Sequence, residues 1–340
     1  MYRCAFLGCG GRARGHAQAY QFVKRGKIVS ICDKDEKRLN AFGNDFNVER
    51  RYTDIHEMLN TEQPDLLHIV TQPDLRVPLM TIAAEHQVPA AIVEKPIAIQ
   101  GEDFRALKEL EKQTQTKFVV NHQLHFHPNF QMLYADVTEE RIGKLRFIEA
   151  SARLNLSGQG THVTELLFAL NGQARPTSVF AQAAGADGMK GSHSAPDQSI
   201  AAITFENGVR GLVTCGTNAP TTNEGANHYH KRVAAYGVHG FVEWQMVGWE
   251  RLTSDGYEQG GHDYGEQDIR GQAGLTEALF DWLENADAPH PTRLSLSLTQ
   301  FNAILGIYTS VLRGTPVELP LEPEDGLIEA LRAKLGMNQK

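Results

Sequence analysis

Tyr2-Arg3-Cys4-Ala5-Phe6-Leu7-Gly8-Cys9-Gly10-Gly11-Arg12-Ala13 opens the chain and decides its fold. Tyr2 to Leu7 is an apolar run of strand length. It breaks at the glycines, after which Ala13, Ala17 and Tyr20 recur at helical spacing. Within the stretch, Gly8-x-Gly10-x-x-Ala13 has the GxGxxA spacing of a dinucleotide fingerprint. The first glycine permits a tight turn, the second lets backbone approach a pyrophosphate, and the small third residue brings the helix close to the strand. The helix N-terminus then faces the anion.

Outward from that stretch, short apolar runs alternate with amphipathic ones. Lys27 to Cys32, Leu66 to Val70, Ala90 to Val93 and Lys117 to Val120 are strand-like. Leu79, Ile82 and Ala83, then Phe104, Leu107 and Leu110, mark helices between them. Such alternation predicts right-handed βαβ units and a doubly wound parallel sheet, a Rossmann domain over residues 1–122. Asp33 closes the second strand 25 residues after Gly8, at the interval of an acid that accepts from the adenosine ribose hydroxyls. Asp33 repels a 2′-phosphate, which favours NAD over NADP, although Lys34, Lys37 and Arg38 follow closely and pull the other way.

After residue 122 the pattern becomes period two. Lys144 to Leu154 alternates, and Thr177 to Ala184, His230 to Tyr236 and Gly240 to Gln245 are strand-like. Ser199 to Phe205 and Val209 to Cys215 flank Glu206-Asn207-Gly208, a hairpin signal that suits a type I′ turn. Leu298, Phe301, Leu305, Tyr308 and Leu312 mark a long helix stopped by Gly314 and Pro316. The expectation for 123–340 is an α+β domain built on a large, mainly antiparallel sheet with one wet face. Gly185 to Pro196 and Thr217 to Asn227 read as loops.

Composition narrows the function. The 340 residues are 41% apolar and 22% charged, with a net charge of −8. An acidic chain argues against nucleic acid as main partner. Four cysteines without a CxxC pair provide neither a disulfide framework nor a zinc ribbon. Apolar runs fall well short of the roughly 20 residues that span a bilayer. Met1 leads straight into a strand with no cleavable signal, so a cytoplasmic protein is expected.

Glu94-Lys95-Pro96 ends an apolar strand 86 residues after Gly8. A lysine at a strand's carboxyl end lies where doubly wound sheets bind ligands. Its ammonium can hold a substrate hydroxyl and share the proton as hydride leaves the same carbon. Glu94 is placed to position Lys95, and Pro96 rigidifies the turn as a candidate cis peptide. Together with Gly8-Cys9-Gly10-Gly11-Arg12 and Thr71-Gln72-Pro73, the stretch Ile92-Val93-Glu94-Lys95-Pro96-Ile97-Ala98 resembles the signature of the glucose–fructose oxidoreductase, inositol dehydrogenase and rhizopine-catabolism (Gfo/Idh/MocA) family.

The resemblance implies an NAD(P)-dependent dehydrogenase acting on a secondary alcohol of a sugar, cyclitol or related polyol. It implies that Gly8, Gly10, Gly11, Arg12, Ala13, Asp33, Thr71, Gln72, Pro73, Glu94, Lys95 and Pro96 hold the dinucleotide, and that the C-terminal sheet makes a homodimer or homotetramer. Lys95 is then the residue that orients and polarises the hydroxyl. The family's second motif, an aspartate four residues before a histidine, aligns with Gly160-Thr161-His162-Val163-Thr164-Glu165. His162 is thereby the candidate acid/base, an imidazole that titrates near neutrality, and Gly158 stands where the aspartate is expected. Asn155 or Glu165 is left to orient His162, or Lys95 to carry more of the proton transfer.

Gln123, His125 and Thr161 complete the expected substrate contacts. Trp244 and Trp249 are either sugar-stacking or core aromatics, and Arg76 either borders the cofactor or begins a helix. The histidines His122, His125 and His127, and separately His228 and His230, are not read as metal ligands, and His125 is taken as polar lining of a sugar pocket. A redox-neutral lyase or glycosidase, and a non-catalytic nucleotide sensor, are the competing readings of the same fold.

Overall fold

The computed structural model describes residues 1–220 and 230–337. The chain divides into two compact units. Each is assembled from separate stretches: Met1–Ile97, Ala106–Phe126 and Asp268–Ser297 form the first, and Ala98–Arg105, His127–Gln267 and Leu298–Lys340 the second. The change of sheet near residue 122 is where the period changes, but a single cut there differs from the packing, because later segments return to the first unit.

The first unit carries a six-stranded sheet. Its strands are β1 (Tyr2–Leu7), β2 (Gly26–Cys32), β3 (Arg50–Tyr52), β4 (Leu66–Ile69), β5 (Ala90–Val93) and β6 (Lys117–Val120). The order is β3-β2-β1-β4-β5-β6, parallel throughout, the expected doubly wound topology. Helices α1 (Gly11–Gln18), α2 (Glu36–Asp45), α3 (Ile55–Glu62), α4 (Arg76–Glu85) and α5 (Gly101–Gln113) connect them. Asp35 and Asp54 cap α2 and α3, each accepting from amides of the first turn. The three-residue β3 is too short to register as a period-two pattern.

Part of α8 (Tyr264–Glu284) returns to this unit, where Leu275, Leu279 and Phe280 pack against Cys4, Leu66, Ala90, Ile92 and Val119. Burial of each of those three side chains contributes about 1.5–3 kcal/mol. The Phe280 ring stacks on Tyr2 at 4.3 Å. Beyond β6, Thr292 exchanges two bonds with Val120, its Oγ1 donating at 2.8 Å, which covers the edge of the sheet.

The second unit holds a nine-stranded sheet in the order β14-β13-β12-β11-β7-β10-β9-β8-β15. The strands are β7 (Leu145–Ala152), β8 (Pro176–Ala184), β9 (Gln198–Phe205), β10 (Arg210–Gly216), β11 (Lys231–Gly237), β12 (Phe241–Gln245), β13 (Gly248–Thr253), β14 (Gly256–Gly261) and β15 (Val317–Glu318). All pairs are antiparallel except β10 with β7. Helices α6 (Pro128–Thr138) and α7 (Thr161–Leu170) cover one face, with every residue of α7 buried. The long helix expected near the end is α9 (Leu294–Arg313), stopped by Gly314 at φ +70° as expected, and α10 (Leu327–Met337) follows. The opposite face carries Phe180 and Ile200, 43% and 45% exposed, so it is less polar than a simple wet face.

The β9–β10 hairpin forms, but its turn is not type I′. Only Gly208 takes positive φ, at +85°, and its amide donates to the Phe205 carbonyl at 3.0 Å. Asn207 keeps negative φ, which makes this a three-residue turn closed by a left-handed glycine. Gly185 to Pro196 is a loop interrupted by a 3-10 turn, Asp187–Lys190. The second expected loop reaches Asn227, and its part from 221 onward lies outside the described residues, as does His228. Among the described residues no helix is long and apolar enough to cross a membrane.

Candidate active site

The site in the first unit grows from the carboxyl ends of β1, β4 and β5, at the point where strand order reverses. Gly8 leaves β1 at φ +94°, and a Cβ there would lie 2.3 Å from the Val70 carbonyl oxygen. Only glycine lets the two strand ends approach so closely. Gly10 then caps α1 in extended conformation. A Cβ on Gly10 or Gly11 would meet nothing within 4 Å. Open space over two glycines at a helix N-terminus fits a pyrophosphate. Ala13 is fully buried against Phe6 and Cys9, as the close helix–strand packing demands.

Asp33 stands next to this turn, its Oδ2 accepting from the Cys9 amide at 2.8 Å and its Oδ1 from the Asp35 amide at 2.8 Å. Burial pushes its carboxyl up, but Arg38 and the two amides outweigh that and hold it below the usual carboxylate range. Thr71 and Gln72 follow β4, with Gln72 exposed and Pro73 buried at the start of a 3-10 turn. Arg76 begins α4 fully buried, donating from Nη1 to Thr71 Oγ1 (2.9 Å) and from Nε to the Glu94 carbonyl (2.8 Å). It therefore ties the Thr71 loop to the backbone beside Lys95. Burial lowers the Arg76 guanidinium to about 10.

Lys95 follows β5, partly exposed, and the Lys95–Pro96 peptide is cis. Desolvation lowers its ammonium and Glu94 raises it, with Arg12 and Arg76 lowering it further, to about 8. Its proton is thus available near physiological pH, the condition for acid–base work. The Glu94 carboxylate faces protein donors. Its Oε1 accepts from Arg12 Nε (3.0 Å), His16 Nε2 (2.8 Å) and Asn121 Nδ2 (2.7 Å). Burial pushes Glu94 up, yet Arg12 and His16 hold it well below the carboxylate range. Arg12 Nη1 also reaches Asp268 on α8 (3.3 Å), and Asp268 Oδ1 accepts from Gln123 Nε2 (2.8 Å). Gln123 Oε1 is buried with no hydrogen-bond partner among the described residues. His125, 4% exposed, lies in the same 3-10 turn with its ring 5.1 Å from Phe126.

In the second unit, Thr161 and His162 open α7, both buried, and Thr161 Oγ1 has no hydrogen-bond partner among the described residues. Asn155, a candidate to orient His162, is instead a cap: its Oδ1 accepts from the Gly158 amide (2.8 Å) and its Nδ2 donates to the His193 carbonyl (3.1 Å). A Cβ on Gly158 would lie 2.9 Å from that Oδ1. The glycine that replaces the expected aspartate is therefore part of this cap. Trp244 is a core residue at 1% exposure, edge-on to His127, and Trp249 packs under Arg251. Among the described residues no group of three or more His, Cys, Asp or Glu side chains is placed to hold a metal ion.

Sequence reading missed His16, His68, Asn121, Asp268 and Gln272. A signal existed for the first: Arg12, His16 and Tyr20 fall four residues apart, a polar stripe along α1 and the 3-10 turn that follows it.

An open parallel sheet with a glycine cradle, an acid and a lysine at its switch point fits a dinucleotide-binding domain. Residues 2–122 match the model of the GFO_IDH_MocA oxidoreductase family, NAD-binding Rossmann fold. Residues 2–122 are thus similar to the NAD-binding domain of the Gfo/Idh/MocA oxidoreductases, and NAD is the cofactor that match names. The chain is similar to a D-apiose dehydrogenase of Paraburkholderia graminis, 27% identical over 231 residues, covering 63% of this chain and 60% of that protein. It is also similar to a D-apiose dehydrogenase of Rhizobium rhizogenes, 31% identical over 140 residues, covering 41% of this chain and 40% of that one. The matches thus span about two-fifths to three-fifths of those relatives' lengths. An oxidoreductase from Agrobacterium radiobacter, solved with NAD+, L-tartaric acid and magnesium, shares the fold at a TM-score of 0.80 and 20% identity, over 93% of this chain and 98% of that one.

Proposed function

We propose that the protein is an NAD-dependent dehydrogenase that interconverts a secondary alcohol and a ketone on a sugar, a cyclitol or a related polyol. The observation that carries the reading is Lys95. A partly exposed amine lowered to about 8 stands at the carboxyl end of β5, in the unit that also holds the glycine cradle and Asp33. The D-apiose dehydrogenases supply the substrate class.

Bound NAD supplies the hydride acceptor. Gly8, Gly10, Gly11 and Ala13 shape the pyrophosphate cradle, and Asp33 accepts from the adenosine ribose. Thr71 to Pro73 border the inner ribose. Lys95 holds the reacting hydroxyl and polarises its O–H bond. As the carbinol carbon loses hydride, the hydroxyl loses its proton to His162 as base, or to Lys95 itself. Gln123, His125 and Thr161 serve as further substrate contacts. We place the enzyme in the cytoplasm, where its four buried, unbridged cysteines stay reduced. We further propose a homo-oligomer through the sheet face bearing Phe180 and Ile200, to be read by light scattering.

The test is turnover of the purified protein with NAD and a panel of aldoses, cyclitols and polyols that includes D-apiose. Substrate-dependent formation of NADH is the expected result. NAD binding with no NADH formed from any member of the panel, and no ketone reduced by NADH, would overturn the reading.

A further inference from the structure

Behind Glu94, inside the first unit, four side chains form one unbroken line. His16 Nε2 lies 2.8 Å from Glu94 Oε1, His16 Nδ1 lies 3.1 Å from His68 Nδ1, and His68 Nε2 lies 2.8 Å from the Tyr20 hydroxyl. Both imidazoles are fully buried. Cys4 borders the same tyrosine at the far end, its thiol donating to the Tyr2 carbonyl at 3.7 Å.

Hydrogen-bond chemistry fixes the direction of this line. An ionised carboxylate accepts only, so His16 Nε2 carries a hydrogen and donates to Glu94. A neutral imidazole then has a bare Nδ1, which requires a donor, and His68 Nδ1–H is the group in reach. His68 Nε2 is bare in turn, and the Tyr20 hydroxyl donates to it. Every group is satisfied with both rings neutral, which their burial favours. Asn121 Nδ2 lies 3.0 Å from His16 Nε2, and in this assignment it donates to Glu94 Oε1 at 2.7 Å rather than to the ring. A proton donated from Glu94 Oε1 to His16 Nε2 would require the opposite sense in every link. The tyrosine end and the carboxylate end therefore report on each other.

We propose that His16, His68 and Tyr20 are positioning residues: a buried, one-directional hydrogen-bond chain that holds Glu94 charged and so sets the proton affinity of Lys95 beside it. The other groups around the carboxylate are Arg12 on α1, Arg76 on α4 at its backbone oxygen, Lys95, and Asn121 after β6. Asp268 and Gln272 on α8 act through Arg12, and Glu277 and Cys4 border Tyr20. An opposite charge within contact range moves a neighbouring pKa by about 1–3 units. Removing the fixed carboxylate charge therefore lowers Lys95. The functional meaning rests on Lys95 being the reacting group, but the chain itself does not.

The test reads Lys95 without reading activity. Competitive acetic anhydride labelling of the full-length protein, followed by mass spectrometry, gives the titration midpoint of Lys95. In Glu94→Gln the midpoint is expected to fall by about 1–3 units. His16→Ala should move it the same way by a smaller amount. His16→Gln, whose amide can still donate to Glu94, should restore most of the shift. Nitrogen NMR of the wild type should show His68 protonated at Nδ1 and bare at Nε2, a pattern lost in the conservative Tyr20→Phe. An unmoved Lys95 midpoint in folded His16→Ala, or His68 protonated at Nε2 in the wild type, overturns the proposal. Lys95→Met separates the two readings: retained turnover removes Lys95 from the chemistry, while the labelling and NMR results stand.

Discussion

Arg38 grips Asp33 with both ends of its fork, Nη2 to Oδ1 at 3.0 Å and Nε to Oδ2 at 3.3 Å. The residue proposed to select NAD is thus paired with the residue that would welcome a 2′-phosphate. Asp33 is almost buried, while the Arg38 side chain is 56% exposed, so the arginine is the solvent-facing partner. We expect NADH to bind more tightly than NADPH in a fluorescence titration. Asp33→Ala should release Arg38 and narrow the gap, and adding Arg38→Ala should weaken NADPH more than NADH. Tighter NADPH binding by the wild type would reverse the assignment of Asp33.

Lys95→Met should lower kcat by about 10²-fold or more, because general acid–base assistance is worth 10²–10⁴. NADH affinity should stay within a few fold, since the amine's proposed partner is the substrate. Stopped-flow turnover with a separate binding titration checks both halves. A variant that keeps a tenth of the wild-type rate would exclude the role.

The pH profile divides labour between Lys95 and His162. Lys95 must be neutral to accept a proton, so if it is the base, kcat/KM for alcohol oxidation rises with pH through about 8. That limb should vanish in Lys95→Met. If His162 is the base, the limb vanishes instead in His162→Asn, with a loss of about 10²-fold or more. Initial rates across pH for the three proteins decide it.

Much of the first unit was legible because its decisive residues are local. Gly8 has to be glycine for its own φ and its approach to Val70, and Lys95 sits where a strand visibly ends. The support beneath them was not legible. Asp268 reaches Arg12 across 256 positions of chain, and no periodicity encodes such a pairing. His68 interrupts the apolar run Leu66-Leu67-His68-Ile69-Val70, an anomaly that becomes meaningful only once His16 and Tyr20 are folded against it. In the second unit His162 could be aligned, but the loss of its aspartate looked like a lost orienting group. The glycine proves to be half of a cap built with Asn155.

That cap makes Gly158→Asp an unfavourable repair. The new side chain must displace Asn155 Oδ1, so the variant should lose about 1 kcal/mol of stability, the usual worth of a helix-capping bond. Asn155→Ala should cost a similar amount, and the double variant less than the sum, because both remove one interaction. Urea denaturation of the four proteins gives the cycle, and strict additivity would refute the coupling.

Glu62 should be an acid-sensitive point of the first unit. Its side chain is fully buried, with Arg50 Nη1 at 2.9 Å, Arg3 Nη2 at 2.8 Å and the Tyr52 hydroxyl at 2.6 Å. Burial raises the carboxyl, but Tyr52, Arg50 and Arg3 hold it below its ordinary value. A depressed folded-state value gives stability that is complete above the unfolded value of about 4.3 and is lost as pH falls through the folded one. Glu62→Gln should therefore cost about 1–2 kcal/mol at neutral pH and progressively less in acid. A cost independent of pH in chemical denaturation would assign the loss to packing alone.

The return of Asp268–Ser297 to the first unit also bears on how this fold can be handled as a module. The stretch that carries the family's imprint, residues 2–122, is not a self-sufficient folding piece. Excised, it would bare Cys4, Leu66, Ile92 and Val119 where Leu275, Leu279 and Phe280 now lie, and would leave the backbone of Val120 without Thr292. Arg12 would also lose Asp268. A transplantable nucleotide-binding cassette from this protein must therefore be discontinuous, with the later segment spliced on, and a chimera cut at the sequence boundary should aggregate rather than bind NAD.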